Sequence, residues 1–154
     1  MSTQDEARRM IPKAEEWTVV IAESQSQGRG KPGTSWYSPS GGLYFSVILK
    51  PRKNPPDLAP LTQLAAKAVS RALHDHNPHI KPPNDILIGG KKVCGILTEK
   101  TADGLIIGIG LNININEFPA GLDAGSISGD KETVLEEILR CLKEEYLKYL
   151  GVGI

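Results

Sequence analysis

The sequence contains few cysteines and no long apolar segment. Its two cysteines, Cys94 and Cys141, are too few for a disulfide scaffold or a four-cysteine zinc site. We predict no metal-ligating residues in the chain. Both lie among apolar neighbours, which favours small core residues over reactive thiols. The apolar runs are far shorter than the roughly 18 residues that a membrane span needs. Residues 1–9 do not resemble a signal peptide. We therefore expect a soluble cytoplasmic protein.

The chain also lacks net charge. Its 18 Lys and Arg residues balance 18 Asp and Glu residues, which argues against general electrostatic binding of nucleic acid. The distribution is uneven, because residues 1–100 hold 14 basic and 9 acidic side chains, whereas residues 101–154 hold 4 and 9. A negatively charged ligand is therefore expected in the first hundred residues.

Length and patterning predict one packed α+β domain. A chain of 154 residues with 40% hydrophobic content can build a single core. Apolar, β-branched runs predict strands at residues 17–22, 43–49, 86–88, 93–97 and 105–113. Helical spacing predicts helices near residues 2–10, 57–77 and 134–150. Gly89-Gly90 is typical of a type I′ turn between two strands. Because the strands occur in hairpins, the sheet should be largely antiparallel.

A glycine pattern, Gly28-x-Gly30-x-x-Gly33, follows the first predicted strand. The dinucleotide-binding fingerprint has this spacing, but its third glycine lies in the first turn of a helix. Here Pro32 precedes Gly33, no helical periodicity follows, and the next element is a strand. The Gly-Lys-Ser/Thr triplet of a P-loop is absent from the sequence as well. Neither nucleotide motif is therefore predicted.

The glycine loop has two remaining interpretations. Arg29 and Lys31 lie among glycines, and such a loop can bring backbone N–H groups and cations close to a phosphate or carboxylate. The alternative is a flexible surface loop with incidental charges. Lys81 precedes Pro82-Pro83, which could orient its side chain, although an isolated lysine before a strand is usually only solvated.

Several segments together resemble the catalytic domain of the biotin protein ligases. The glycine loop, residues 25–36, continues into a similar stretch at residues 38–44. Further matching segments, in the family's order, are residues 2–4, 81–87, 92–99 and 108–114. Motifs in this order are far more specific than any one of them alone.

The resemblance implies a fold, a reaction and a partner. The fold is a mixed, largely antiparallel sheet flanked by helices, and residues 1–154 would form one catalytic domain. Biotin and ATP, with Mg²⁺, would give biotinyl-5′-AMP and pyrophosphate, and the acyl group would pass to a lysine of a carboxylase biotin carrier domain. Family members often pair through the sheet, so a homodimer is a further expectation.

The resemblance also implies roles for individual residues. Arg29 and Lys81 would be catalytic, and Trp36 and Asn112 are further candidates on the nucleotide side, together with Arg29, Lys31 and Lys81. Residues expected to bind biotin are Ser2, Thr3, Gln4, Gln25, Arg29, Gly30, Lys31 and Lys81. The three cations would offset the repulsion between the biotin carboxylate and the α-phosphate.

The chain departs from the family pattern at several positions. Pro82 stands where the family usually has Trp, Lys31 where it has Arg, and Thr34 where it often has a basic residue. Lysine keeps the charge of arginine without its forked geometry. Family members normally have a strand before the segment matched by residues 2–4, whereas Met1 directly precedes it here. The winged helix and the C-terminal β-barrel of other members are not found in these residues, so we expect no repressor function or nucleic-acid partner.

Two rival functions stay open. A lipoate ligase uses a similar fold and an acyl-adenylate, although its glycine loop differs. A biotin-binding remnant without catalysis is favoured by Pro82 and by the lack of the preceding strand.

Overall fold

An antiparallel sheet organises the part of the chain that the computed structural model describes, residues 1–30 and 33–151. Within these residues the sheet has six strands, in the order β1-β2-β6-β5-β4-β3. Their bounds are β1 Val19–Ala22, β2 Leu43–Leu49, β3 His79–Lys81, β4 Asp85–Ile88, β5 Lys91–Thr101 and β6 Gly104–Leu111. Each pair of neighbouring strands is antiparallel. Parallel pairing is limited, in the same described residues, to two isolated bridges, Lys92–Ala124 and Ile113–Ile127. The predicted fold class is confirmed.

Three α-helices flank the sheet in the described part of the chain. They are α1 (Thr3–Met10), α2 (Ala59–Ala72) and α3 (Lys131–Tyr149). Ser2 caps α1, because its Oγ accepts a hydrogen bond of 3.1 Å from the Asp5 backbone N–H. Serine is among the preferred residues at this capping position, and the acidic side chains in the first turn suit the helix dipole.

The two faces of the sheet pack against different helices. Side chains alternate along a strand, so Ile107 joins the main core with α2 and α3, whereas its neighbour Ile106 packs against Ala7 and Ile11 on the α1 side. Every residue of β2 is buried, since both of its faces are covered. Helix α1 is short and covers only part of its face, which leaves room there for a cavity.

The predicted Gly89-Gly90 turn forms as expected, and some element bounds differ from the prediction. Gly89 and Gly90 have φ values of 58° and 78° between β4 and β5, as a type I′ turn requires. Helix α2 ends at Ala72 and not near Asn77, which takes a left-handed φ of 54°. Strand β3 was not predicted, because three exposed residues are too few to show an alternating pattern. Among the described helices, none is long and apolar enough to cross a membrane.

Replacing Ile107 with alanine should test the packing of the core. Ile107 is fully buried, whereas Ile21 on the edge strand β1 is 57% exposed. We expect Ile107→Ala to lower the free energy of unfolding by about 2–5 kcal/mol, since it removes buried surface and leaves a cavity. The matched change Ile21→Ala should cost about 0.5 kcal/mol or less. Urea denaturation measures both, and equal losses would contradict this packing.

Candidate functional site

A cavity of about 210 Å³ lies on the face of the sheet that α1 only partly covers. Its walls come from the start of α1, the glycine loop, the start of β4 and the middle of β5 and β6. Seven of the predicted site residues line it, namely Ser2, Thr3, Gln4, Gln25, Arg29, Gly30 and Trp36. The fold thus brings together residues from two segments that are distant in the sequence.

Glycines form the floor of the cavity. Gly95 and Gly110 are opposite each other on β5 and β6, and Gly108 is opposite Leu97. A Cβ on Gly110 would lie 2.5 Å from Trp36 Nε1, and one on Gly108 would lie 2.4 Å from Gln4 Oε1. These positions therefore have to lack side chains for the wall residues to lie this close to the strands.

The start of α1 contributes a buried polar network. Thr3 Oγ1 and Ser46 Oγ share a hydrogen bond of 2.8 Å, and Ser46 Oγ donates to Gln4 Oε1 at 2.7 Å. The Gln4 amide donates to the Leu97 carbonyl at 3.2 Å. Because these buried groups are partnered, the network holds Thr3 and Gln4 against the floor of the cavity.

Gln25 joins the glycine loop to α1. Its Oε1 accepts a hydrogen bond of 2.8 Å from the Thr3 backbone N–H, and its Nε2 donates to Ser38 Oγ at 2.9 Å. The loop then folds back on itself, since the Trp36 N–H donates to the Gly28 carbonyl at 2.8 Å. Next to this hydrogen bond, the backbones of Arg29 and Ser35 form an isolated antiparallel bridge.

The Arg29 side chain is paired with carboxylates. Its Nη1 and Nη2 donate to the two oxygens of Glu99 at 3.0 and 2.9 Å, and Nη2 also lies 3.0 Å from Asp5 Oδ1. Burial opposes ionisation of Glu99, but the hydrogen bonds and charge of Arg29 outweigh it and hold the pKa of Glu99 below its ordinary value. Arg29 therefore lines the cavity with its charge already balanced.

Trp36 lies flat on the glycine floor. Its ring contacts Gly95 and Gly110, and Lys92 Nζ lies 5.0 Å from the ring centroid, within the range of a cation–π interaction. Lys92 Nζ is also 2.9 Å from Asp85 Oδ1. Trp36 Nε1 is shielded from solvent without a hydrogen-bond partner in the described residues. The indole N–H is thus a buried donor that no described residue satisfies.

Asn84 has a buried acceptor that also lacks a partner. Its amide donates to the Ile96 carbonyl at 2.9 Å, while its Oδ1 is buried without a hydrogen-bond partner in the part of the chain described here. A buried polar atom left unpaired costs free energy. Asn84 lines the cavity, so a polar ligand could offset this cost.

Two of the predicted site residues that the structure describes, Lys81 and Asn112, do not line the cavity. Lys81 is the exposed last residue of β3, opposite Asp85, which does line it. Asn112 is buried directly after β6 and its amide donates to the Lys92 carbonyl at 3.4 Å. Lys31 lies outside the described residues.

Other cavity residues were missed as site candidates. Asn84, Asp85 and Lys92 line the cavity, and Glu99 pairs with Arg29 at its margin. All four belong to segments that carry the family resemblance, but no role was assigned to them. One pattern could have identified Glu99, because alternate residues of β5 share a face and Glu99 follows Gly95 and Leu97 at this spacing.

Comparison with known proteins places the chain in a family. The family model described as the biotin/lipoate A/B protein ligase family matches residues 2–116. The chain belongs to this family. It is 39% identical to the bifunctional ligase/repressor BirA of Bacillus subtilis over 99% of this chain and 53% of the relative. It is 33% identical to the biotin–[acetyl-CoA-carboxylase] ligase of Paracoccus denitrificans over 82% of this chain and 55% of the relative.

Solved ligase structures have the same fold. The biotin protein ligase of Aquifex aeolicus in complex with biotin and ATP is 33% identical, with a TM-score of 0.83 over 96% of this chain and 67% of that one. The Leishmania major enzyme in complex with biotinyl-5-AMP is 27% identical, with a TM-score of 0.81 over 99% of this chain and 78% of that one. The family expected from the motifs is therefore confirmed, and the chain spans about half the length of the curated relatives it matches.

Substituting Gly110 should displace Trp36 from the floor of the cavity. A Cβ at Gly110 would overlap the indole, whereas at Gly129 the nearest atom would be 3.7 Å away. In a Trp17→Phe background, which leaves Trp36 as the one tryptophan, Gly110→Ala should shift the fluorescence emission to longer wavelength. Gly129→Ala should not. An unchanged spectrum for Gly110→Ala would contradict this position of Trp36.

The Glu99–Arg29 pair should contribute stability that depends on pH. The pKa of Glu99 is lowered in the folded state from an ordinary value of 4.5, so the unfolded chain binds the proton more readily. The contribution is therefore complete above pH 4.5 and is lost as the pH falls through the lower folded-state pKa. Urea denaturation of wild type and Glu99→Gln should give a difference that shrinks below pH 4.5. A difference that stays constant with pH would contradict the ion pair.

Proposed function

We propose that residues 1–154 form a catalytic domain that joins biotin to a protein lysine in two steps. A biotin carboxylate oxygen attacks the α-phosphorus of ATP, which forms biotinyl-5′-AMP and releases pyrophosphate. The amine of an acceptor lysine then attacks the acyl carbon and releases AMP. The acceptor is a biotin carrier domain of a carboxylase. The observation that carries this proposal is the cavity, because residues from five separated segments that resemble the ligase motifs line it together.

Biotin is proposed to bind beside the start of α1. Thr3, Gln4 and Gln25 line the cavity there, and their hydroxyl and amide groups, which internal hydrogen bonds hold in place, are proposed to bind the ureido group of biotin. Gly30 and the apolar Leu97 line the same space. Buried, already oriented polar groups can recognise a small ligand at a low ordering cost. In support, the similar Aquifex structure is described as a complex with biotin and ATP.

ATP is proposed to bind on the side of Trp36. An indole ring can stack on a base, and Lys92 adds a cation beside it. Asn112 lies one residue after β6, next to Lys92. Lys81 ends β3 next to the β4 wall, and we propose that it acts with Arg29 and Lys31 on the reacting carboxylate and phosphate. Fixed positive charges are most effective where negative charge develops in the transition state.

Mg²⁺ is proposed to enter with ATP. Among the described residues no group of three His, Cys, Asp or Glu side chains could hold a metal, and the Asp85 carboxylate at the cavity lies next to Lys92. This donor set fits an ion held mainly by substrate phosphates and water, as is usual for Mg²⁺. The ion would neutralise charge on the leaving pyrophosphate.

Pyrophosphate release tests the proposed function directly. The purified chain is incubated with MgATP, with and without biotin, and then with a biotin carrier domain and either biotin or lipoate. We expect biotin-dependent pyrophosphate release and labelling of the carrier with biotin. Biotin binding without pyrophosphate release would instead identify a non-catalytic protein, and labelling with lipoate would identify a lipoate ligase.

Removing the Lys81 side chain should slow adenylation. We expect Lys81→Ala to reduce the single-turnover rate of biotinyl-5′-AMP formation by roughly 100-fold, the usual effect of losing one group that stabilises transition-state charge. Lys13→Ala, which removes another exposed lysine after the far end of α1, is the matched control and should leave the rate unchanged. Equal rates for the two variants would remove Lys81 from the mechanism.

A further inference from the structure

Four charged side chains form a cluster at the margin of the cavity. In this charge cluster, Glu99 holds both Nη atoms of Arg29 at 2.9 and 3.0 Å, and Arg8 Nη2 lies 3.2 Å from Glu99 Oε2. Asp5 Oδ1 lies 3.0 Å from Arg29 Nη2. The cluster contains two positive and two negative groups, so its formal charge balances. Its contacts join α1, the glycine loop and β5.

Glu99 is the most buried member of the charge cluster. Its side chain is 19% exposed, against 35% for Arg29, 46% for Asp5 and 48% for Arg8. Exposed ion pairs contribute little because water and salt screen them. A forked, partly buried pair between arginine and a carboxylate is stronger and fixes the orientation of the guanidinium. Glu99 should therefore restrain Arg29 more than Asp5 does.

The position of Arg29 determines the position of one cavity wall. Its backbone pairs with Ser35, and the next residue, Trp36, donates to the Gly28 carbonyl at 2.8 Å. Gly30, Ser35 and Trp36 line the cavity. A side chain that holds Arg29 on the sheet thus also holds this part of the loop over the ligand space.

We infer that Glu99 is a positioning residue of the proposed ligase, which acts through Arg29 to keep the described parts of the glycine loop, residues 25–30 and 33–36, formed over the cavity. This inference rests on the proposed function. Without the pair, these parts of the loop would have to be ordered when the ligand binds. The apparent affinity would then equal the affinity of the formed site multiplied by the fraction of molecules in which the wall is already formed. Glu99 itself would touch neither biotin nor ATP.

Three variants test this role in the full chain. Glu99→Gln removes the charge at nearly constant shape, and Glu99→Asp keeps the charge but shortens the side chain. Glu137→Gln is the matched control, because Glu137 also accepts a forked pair, from Arg140, on α3. Calorimetry measures biotin affinity, steady-state kinetics separate KM from kcat, and thermal unfolding gives Tm. Trypsin reports release of Arg29, since cleavage at Arg29–Gly30 requires this side chain to leave Glu99.

We expect Glu99→Gln to bind biotin about tenfold more weakly, the order of effect of losing a charge-assisted hydrogen-bonded pair. Its KM for biotin should rise more than its kcat falls, and cleavage after Arg29, followed by mass spectrometry, should accelerate. Glu99→Asp should lie between wild type and Glu99→Gln. Glu137→Gln should change neither affinity nor this cleavage, even where its Tm falls as much.

Either Glu99 variant, once folded, would overturn the inference if it matched wild type in both biotin affinity and cleavage at Arg29. Glu99→Asp keeps the test available if Glu99→Gln does not fold. A wild-type chain that bound no biotin would instead refute the proposed function. The cleavage comparison would then still decide whether Glu99 restrains Arg29.

Discussion

The lack of side chains at three positions on neighbouring strands is the constraint on which the candidate site depends. Gly95, Gly108 and Gly110 leave a flat area on the sheet face that α1 only partly covers. Gln4 and Trp36 both lie against this area, at distances that a methyl group would prevent. The opposite face carries the main core, so the sheet is a rigid floor for the cavity.

Charge in the cavity is arranged in balanced groups. The excess of basic residues in the first hundred predicted an anion site, and Arg29 and Lys92 do line the cavity. Both are paired, Arg29 with Glu99 and Asp5, and Lys92 with Asp85. Such pairing orients the cations while it reduces their net field. An anion that enters the cavity would therefore be bound more by hydrogen bonds from oriented donors than by a strong positive electrostatic potential.

Local features of this fold could be predicted from the sequence because their causes lie within a few residues. The Ser2 cap acts on Asp5, and Gly89-Gly90 adopt the positive φ angles of their turn. The glycine loop and the strand glycines could be recognised by family motifs. The exposed three-residue strand β3 could not be predicted, since too few residues define its pattern and its pairing with β4 forms only in the sheet.

By itself the sequence determined the family, the fold class and seven of the residues that line the cavity, because apolar periodicity and motif spacing are short-range properties. Only the tertiary structure decided which charges meet. Arg29 and Glu99 are separated by 70 residues, and whether their side chains pair depends on the register of β5 and on the path of the loop. For the same reason the placement of Lys81 outside the cavity lining and of Lys92 within it followed from strand pairing.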